Sequence, residues 1–126
     1  MLDNRKVVLL VDDDTEPLHL LEYFFQRNDY ITRSAQSVIE AIQKLDESVD
    51  LVVTDYDMPI MNGSDLRLMI RQKYPHVPVI GISGFRFIDK SHVAKLFDEF
   101  LYKPFRISEL RDSVARVVFA LGGVLA

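Results

Sequence analysis

A small set of side chains in this 126-residue sequence could carry out phosphate chemistry if the fold brought them together: the carboxylates of Asp12, Asp13 and Asp55, the hydroxyl of Ser83 and the ammonium of Lys103. Each has an ordinary reading when taken alone. An acidic triplet such as Asp12-Asp13-Asp14 after an apolar run is commonly a solvated loop ending in a helix cap, and an aspartate after VDLVVT is commonly a turn residue. Ser83-Gly84 is a common turn, and Lys103 before Pro104 would by itself be a surface lysine. Taken together they define one chemistry. Three clustered carboxylates raise one another's pKa unless a cation neutralises them. Hard oxygen donors with room for water suit Mg²⁺ or Mn²⁺. An ionised carboxylate can attack phosphorus without a general base, forming an aspartyl phosphate. A metal, an ammonium and a hydroxyl are the groups that stabilise the charge developing on the phosphoryl oxygens.

Positioning those groups is the task of the elements around them. Near-continuous apolar runs at 6–11 (KVVLLV), 49–54 (VDLVVT) and 77–82 (VPVIGI) predict strands covered on both faces, with weaker runs at 30–35 and 99–102. Helical stripes lie between them: Leu18, Leu21 and Phe25; Val38, Ile42 and Leu45; Leu66, Met69 and Ile70; and Leu110, Val114, Val117 and Leu121. Pro17 falls in the first turn of the first helix, Ser37 with Glu40 forms a capping-box pattern, and Gly122-Gly123 reads as the stop of the last helix. Repeated βα units predict a doubly wound α/β fold, whose site lies beyond the carboxyl ends of the strands. Asp12 to Asp14, Asp55, Ser83 and Lys103 all stand at such ends. The segment 84–98 has a mixed helical pattern without clean caps.

Composition narrows the remaining classes. A net charge of -4 argues against a nucleic-acid binder, and the lack of cysteine rules out disulfides and thiol chemistry. No run approaches the roughly 20 apolar residues of a membrane span, and the first residues do not form a signal peptide. The expectation is one soluble cytoplasmic domain over 1–126, without direct nucleic-acid or membrane contact. His19, His76 and His92 are scattered without ligand spacing. Tyr23, Phe24 and Phe25 read as packing, and Phe85, Phe87 and Ile88 as either core or a patch for a partner.

The stretch LVVTDYDMPIMNG (51–63) resembles the phosphoacceptor motif of response-regulator receiver domains of two-component signalling. VVLLVDDD (7–14), VPVIGISG (77–84) and FLYKPF (100–105) are similar to that family's other signatures, in the same order. The resemblance covers essentially the whole chain. It implies a flavodoxin-like five-stranded parallel sheet in the order 2-1-3-4-5 with helices on both faces. It implies that Asp55 is phosphorylated, that Asp12, Asp13, Asp55 and the backbone carbonyl of Asp57 hold the metal, and that Ser83 contacts the phosphoryl group. Lys103 would pair with the acidic site ahead of a cis peptide to Pro104, and Phe100 would be the aromatic switch. The implied donor is a phosphohistidine on a sensor histidine kinase or a histidine phosphotransfer protein. The implied readout is a conformational change on the face of helix 4, strand 5 and helix 5, and the implied partners include a second receiver in a receiver–receiver dimer. The expected domain content is the receiver alone, with no output domain.

Some residues depart from the family pattern. Asp57 adds a carboxylate two residues past the acceptor, where it is expected to modulate dephosphorylation; Ser83 stands where Thr is commoner; Phe100 has no hydroxyl; and KLFDEF before the last strand predicts a short or irregular fourth helix. Two other functions share parts of the pattern. A haloacid-dehalogenase-type phosphohydrolase would use Asp55 and Asp57 as nucleophile and acid/base, but its acidic metal motif should follow the lysine. A non-phosphorylated pseudo-receiver would lack acidic or lysine positions that are present here.

Overall fold

The computed structural model describes residues 3–84 and 91–122. Strands and helices alternate along it: β1 (Val7–Val11), α1 (Thr15–Arg27), β2 (Ile31–Ala35), α2 (Val38–Lys44), β3 (Leu51–Asp55), α3 (Gly63–Lys73), β4 (Val79–Ser83), α4 (Ser91–Ala94), β5 (Glu99–Tyr102) and α5 (Ile107–Gly122). Every residue of β1, β3 and β4 is buried, as continuous apolar runs require when helices cover both faces of a sheet. The half-buried β2 and β5 occupy the edges, giving the order β2-β1-β3-β4-β5 with all pairings parallel. This is the doubly wound, flavodoxin-like arrangement that the sequence predicts.

Alternation along each strand sends side chains into two separate cores. Leu9, Val11, Val52 and Val79 pack against Val38, Ala41, Leu66 and Ile70 of α2 and α3. Val8, Leu10, Leu51, Val53 and Ile80 pack against Leu18, Phe25, Leu110 and Val114 of α1 and α5. The strands thus have no freedom to slip by one residue without exchanging their cores.

Caps set where the helices begin. The Asp14 carboxylate accepts the Glu16 N–H at 3.2 Å, and the Ser37 hydroxyl oxygen accepts the Glu40 N–H at 3.0 Å. Glu40 completes only part of the expected box, since its carboxylate accepts from Gln36 N–H instead of the cap residue. The full reciprocal box is on α3, where Asn62 and Asp65 each take the other's backbone N–H. Gly122 lies within α5, as its last described residue, and not beyond the helix. Gly123, Phe85, Phe87 and Ile88 lie outside the described residues.

The described part of the fourth helix ends at Ala94, and the chain then enters β5 through a turn at Leu96 and Phe97. Arg67 of α3 holds that turn. Its buried guanidinium donates from Nε to the Leu96 carbonyl at 2.9 Å and lies 3.5 Å from the Asp98 carboxylate. Asp98 in turn accepts the Val79 N–H at 2.7 Å, so α3, β4 and β5 meet at one point.

Candidate functional site

The site forms where β1, β3, β4 and β5 end. Asp12 follows β1 with its N–H bonded to the Ala35 carbonyl, and its Oδ1 accepts the Asp14 N–H at 2.9 Å. Asp55 is the last residue of β3, one beyond the predicted end, and the next N–H, of Tyr56, is held by the Ile82 carbonyl at 2.7 Å. Lys103 N–H is held by the Ser83 carbonyl at 2.7 Å, and the Lys103–Pro104 peptide is cis, as expected. Backbone pairing between neighbouring strands therefore carries each functional side chain to the same edge.

There the side chains converge. Ligand oxygens of Asp12, Asp13 and Asp55 lie within 4.8 Å of one another. The Lys103 ammonium is 3.4 Å from Asp12 Oδ2 and 4.0 Å from Asp55 Oδ1. Asp12 and Asp55 are buried, whereas Asp13 is exposed. Burial first, and then the neighbouring Asp12 charge, push the Asp55 carboxyl up to about 7, with Lys103 and the Asp57 N–H pulling the other way. Burial also raises Asp12. Among the described residues, one ammonium does not balance this cluster. Excess negative charge on hard oxygen donors is the environment a divalent cation relieves, so the donor set fits one.

Asp57 lies on the turn after β3. Its N–H reaches Asp55 Oδ1 at 3.3 Å, while its own Oδ2 accepts the Ser83 hydroxyl at 2.7 Å and the Gly84 N–H at 3.2 Å. Phe100 is half-buried, with its ring 6.4 Å from Tyr56, 5.3 Å from Phe97 and 5.2 Å from Tyr102 between centroids. His19, His76 and His92 are exposed.

Two glycines shape the site in ways that the sequence reading passed over. A Cβ on Gly63 would lie 2.9 Å from the Asp55 carbonyl oxygen and 3.0 Å from Tyr56 Cα, so only glycine lets α3 start against the end of β3. A Cβ on Gly81 would lie 2.6 Å from the Phe100 ring, which rests on the bare backbone of β4. An isolated glycine inside a strand run is the signal that marks such an approach.

The family described as the response regulator receiver domain matches residues 8–115 of this chain. The chain belongs to the response-regulator receiver domains. It is 38% identical over 116 residues to the response regulator protein PilR of Pseudomonas aeruginosa, covering 89% of this chain and 26% of that protein. It is also 38% identical over 113 residues to a transcriptional regulatory protein, the CpxR homolog of Haemophilus influenzae, covering 87% of this chain and 48% of that one. The receiver thus spans a quarter to a half of these relatives. Among solved structures it resembles the signal receiver domain of an HD domain-containing protein from Pseudomonas fluorescens (27% identity, TM-score 0.86, 95% of this chain and 99% of that one). It also resembles the response regulator TrrA of Thermotoga maritima, solved with Mg²⁺ and BeF (26% identity, TM-score 0.78, 89% and 98%).

The receiver is a phosphoacceptor module of two-component signalling, not an enzyme acting on an outside substrate. Its Asp12, Asp13 and Asp55 form the acidic cluster typical of a divalent-metal site and consistent with a metal-dependent phosphoaspartate switch. Family membership decides against the haloacid-dehalogenase reading.

Proposed function

We propose that Asp55 is the residue phosphorylated, and that it takes its phosphoryl group from a phosphohistidine on a sensor histidine kinase or a histidine phosphotransfer protein. The observation that carries this reading is the placement of Asp55: a buried carboxylate ending a central strand, with Asp12 and Asp13 within 4.8 Å and Lys103 at 4.0 Å. An Asp55 carboxylate oxygen attacks phosphorus. The P–N bond to the donor imidazole breaks, and the imidazole leaves with the electron pair. Lys103 lies where it can hold an oxygen of the transferred group as well as the carboxylates, and Ser83 offers a hydroxyl from the neighbouring strand end. Asp12, Asp13, Asp55 and the Asp57 carbonyl would hold Mg²⁺, or Mn²⁺ in its place. When bound, the cation keeps Asp55 ionised and draws charge from the phosphoryl oxygens.

The Ser83 and Phe100 positions make them the carriers of the conformational response toward α4, β5 and α5. An apolar groove lined by Pro17, Leu20, Phe105 and Ile107 opens beside Asp12 and Lys103, and offers the donor protein a surface next to the acceptor. Residence in the cytoplasm, where ATP supplies such donors, belongs to the same proposal. Incubation with acetyl phosphate and Mg²⁺ should add the mass of one phosphoryl group, by intact-protein mass spectrometry, and a chelator should prevent it. Equal uptake by Asp55→Ala would overturn the assignment.

A further inference from the structure

We propose that the Asp57 carboxylate occupies the seat that Ser83 and Gly84 offer to the incoming phosphoryl group, so that this receiver carries its own competing anion. Two donors, the Ser83 hydroxyl and the Gly84 N–H, converge on a single oxygen, Asp57 Oδ2, at 2.7 and 3.2 Å. A hydroxyl and a backbone N–H aimed at one point are the kind of pair that binds an oxyanion. A carboxylate oxygen and a phosphoryl oxygen make the same demand on them.

Asp57 is well placed to compete. It is two residues from Asp55, and its N–H is bonded to Asp55 Oδ1 at 3.3 Å. Its turn is closed by hydrogen bonds from the Met58 and Gly63 N–H groups to the Tyr56 carbonyl, each 3.2 Å. A tethered anion meets its seat at high effective concentration, unlike one arriving from solution. Ser83 is fully buried, so its hydroxyl is directed by the partner it finds inside the protein. Loading of Asp55 then places a phosphoryl group beside the Asp57 carboxylate. Like charges repel, and the phosphoryl oxygens take over the two donors. Asp57 must leave Ser83 and Gly84 each time the domain is loaded, and it returns when the phosphoryl group is lost. This assigns Asp57 a positioning role in uptake, exerted through Ser83, besides any effect on hydrolysis.

The inference rests on the reading of Asp55 as acceptor, and one experiment separates the two. Affinity for the phosphoryl mimic beryllofluoride is measured calorimetrically at saturating Mg²⁺ and high salt. Uptake from acetyl phosphate is followed in parallel. The proteins are wild type, Asp57→Ala, Asp57→Asn, Ser83→Ala and the Asp57→Ala/Ser83→Ala double variant. Asp57→Ala should tighten beryllofluoride binding by about tenfold and speed uptake. Asp57→Asn, which keeps the side-chain size and a carbonyl acceptor, should give a smaller gain in the same direction. In the Ser83→Ala background the gain from Asp57→Ala should shrink severalfold, because the two residues act on one seat. An equal gain with and without the Ser83 hydroxyl would reduce Asp57 to a repelling charge and overturn the proposal. So would no gain in either Asp57 variant. A wild-type protein that neither binds the mimic nor takes up phosphate would instead defeat the Asp55 assignment.

Discussion

Ionising Asp55 works against the fold that holds it. Its carboxylate is only 6% exposed and faces a second buried carboxylate, which raises its pKa from 3.8 to about 7. Between those two values the native state binds a proton that the unfolded chain has lost, so stability falls as pH rises through that window. The sign is the reverse of that for a salt-bridged aspartate. At about 1.4 kcal/mol per pKa unit, the penalty above pH 7 is on the order of a few kcal/mol in the absence of divalent cation. Urea unfolding with chelator present should therefore show Asp55→Asn to be more stable than wild type at pH 8, and nearly equal to it at pH 4. Saturating Mg²⁺ should narrow the difference by stabilising the wild type. A wild type more stable than Asp55→Asn at pH 8 without metal would refute the burial argument. The residues of this cluster were legible in the sequence because each ends a strand, and strand ends meet in a doubly wound sheet. The partners of the Asp57 carboxylate were not legible. They depend on a turn that folds back onto β4, and spacing along the chain does not encode which way that carboxylate faces.

At the level of elements, β4 shows how a strand can be recognised while its most informative residue is missed. VPVIGI announces a buried strand by its β-branched run, and the strand spans Val79–Ser83. Gly81 within it reads as a weak strand former, yet its missing side chain seats Phe100, its register partner on β5. Gly81→Ala would put a methyl 2.6 Å from the ring, and Phe100 would have to leave its place among Phe97, Tyr56 and Tyr102. Overpacking of this kind costs about 1–3 kcal/mol. Chemical denaturation should show that loss for Gly81→Ala, and adding Phe100→Leu should recover part of it. Strictly additive costs would mean that the ring and the glycine are not coupled. The helices were legible by their apolar stripes, but their limits were less so. Glu40 caps one residue earlier than the pattern suggested, and α5 includes Gly122, which the pattern placed after the helix.

Across the whole molecule, hydropathy made the two edges legible, because β2 and β5 are the least apolar runs and such strands belong there, while the order of β1, β3 and β4 between them was legible only through the family resemblance. The link that joins α3 to β5 was not visible in this way. Arg67 sits among the apolar residues of α3 and reads as an exposed residue on a helix, yet it is buried and bonded to the Leu96 carbonyl and beside Asp98. Arg67→Leu should cost about 1–3 kcal/mol in thermal or chemical unfolding, because the Leu96 carbonyl loses a charged donor. A neutral effect would show that the turn is held by its apolar contacts. Arg67 lies just over one helical turn beyond Gly63, whose Cα rests on the backbone of Asp55. One rigid rod therefore has its first residue against Asp55 and its next turn against the entrance to β5. A tilt of that rod would move both ends together, as a strut does.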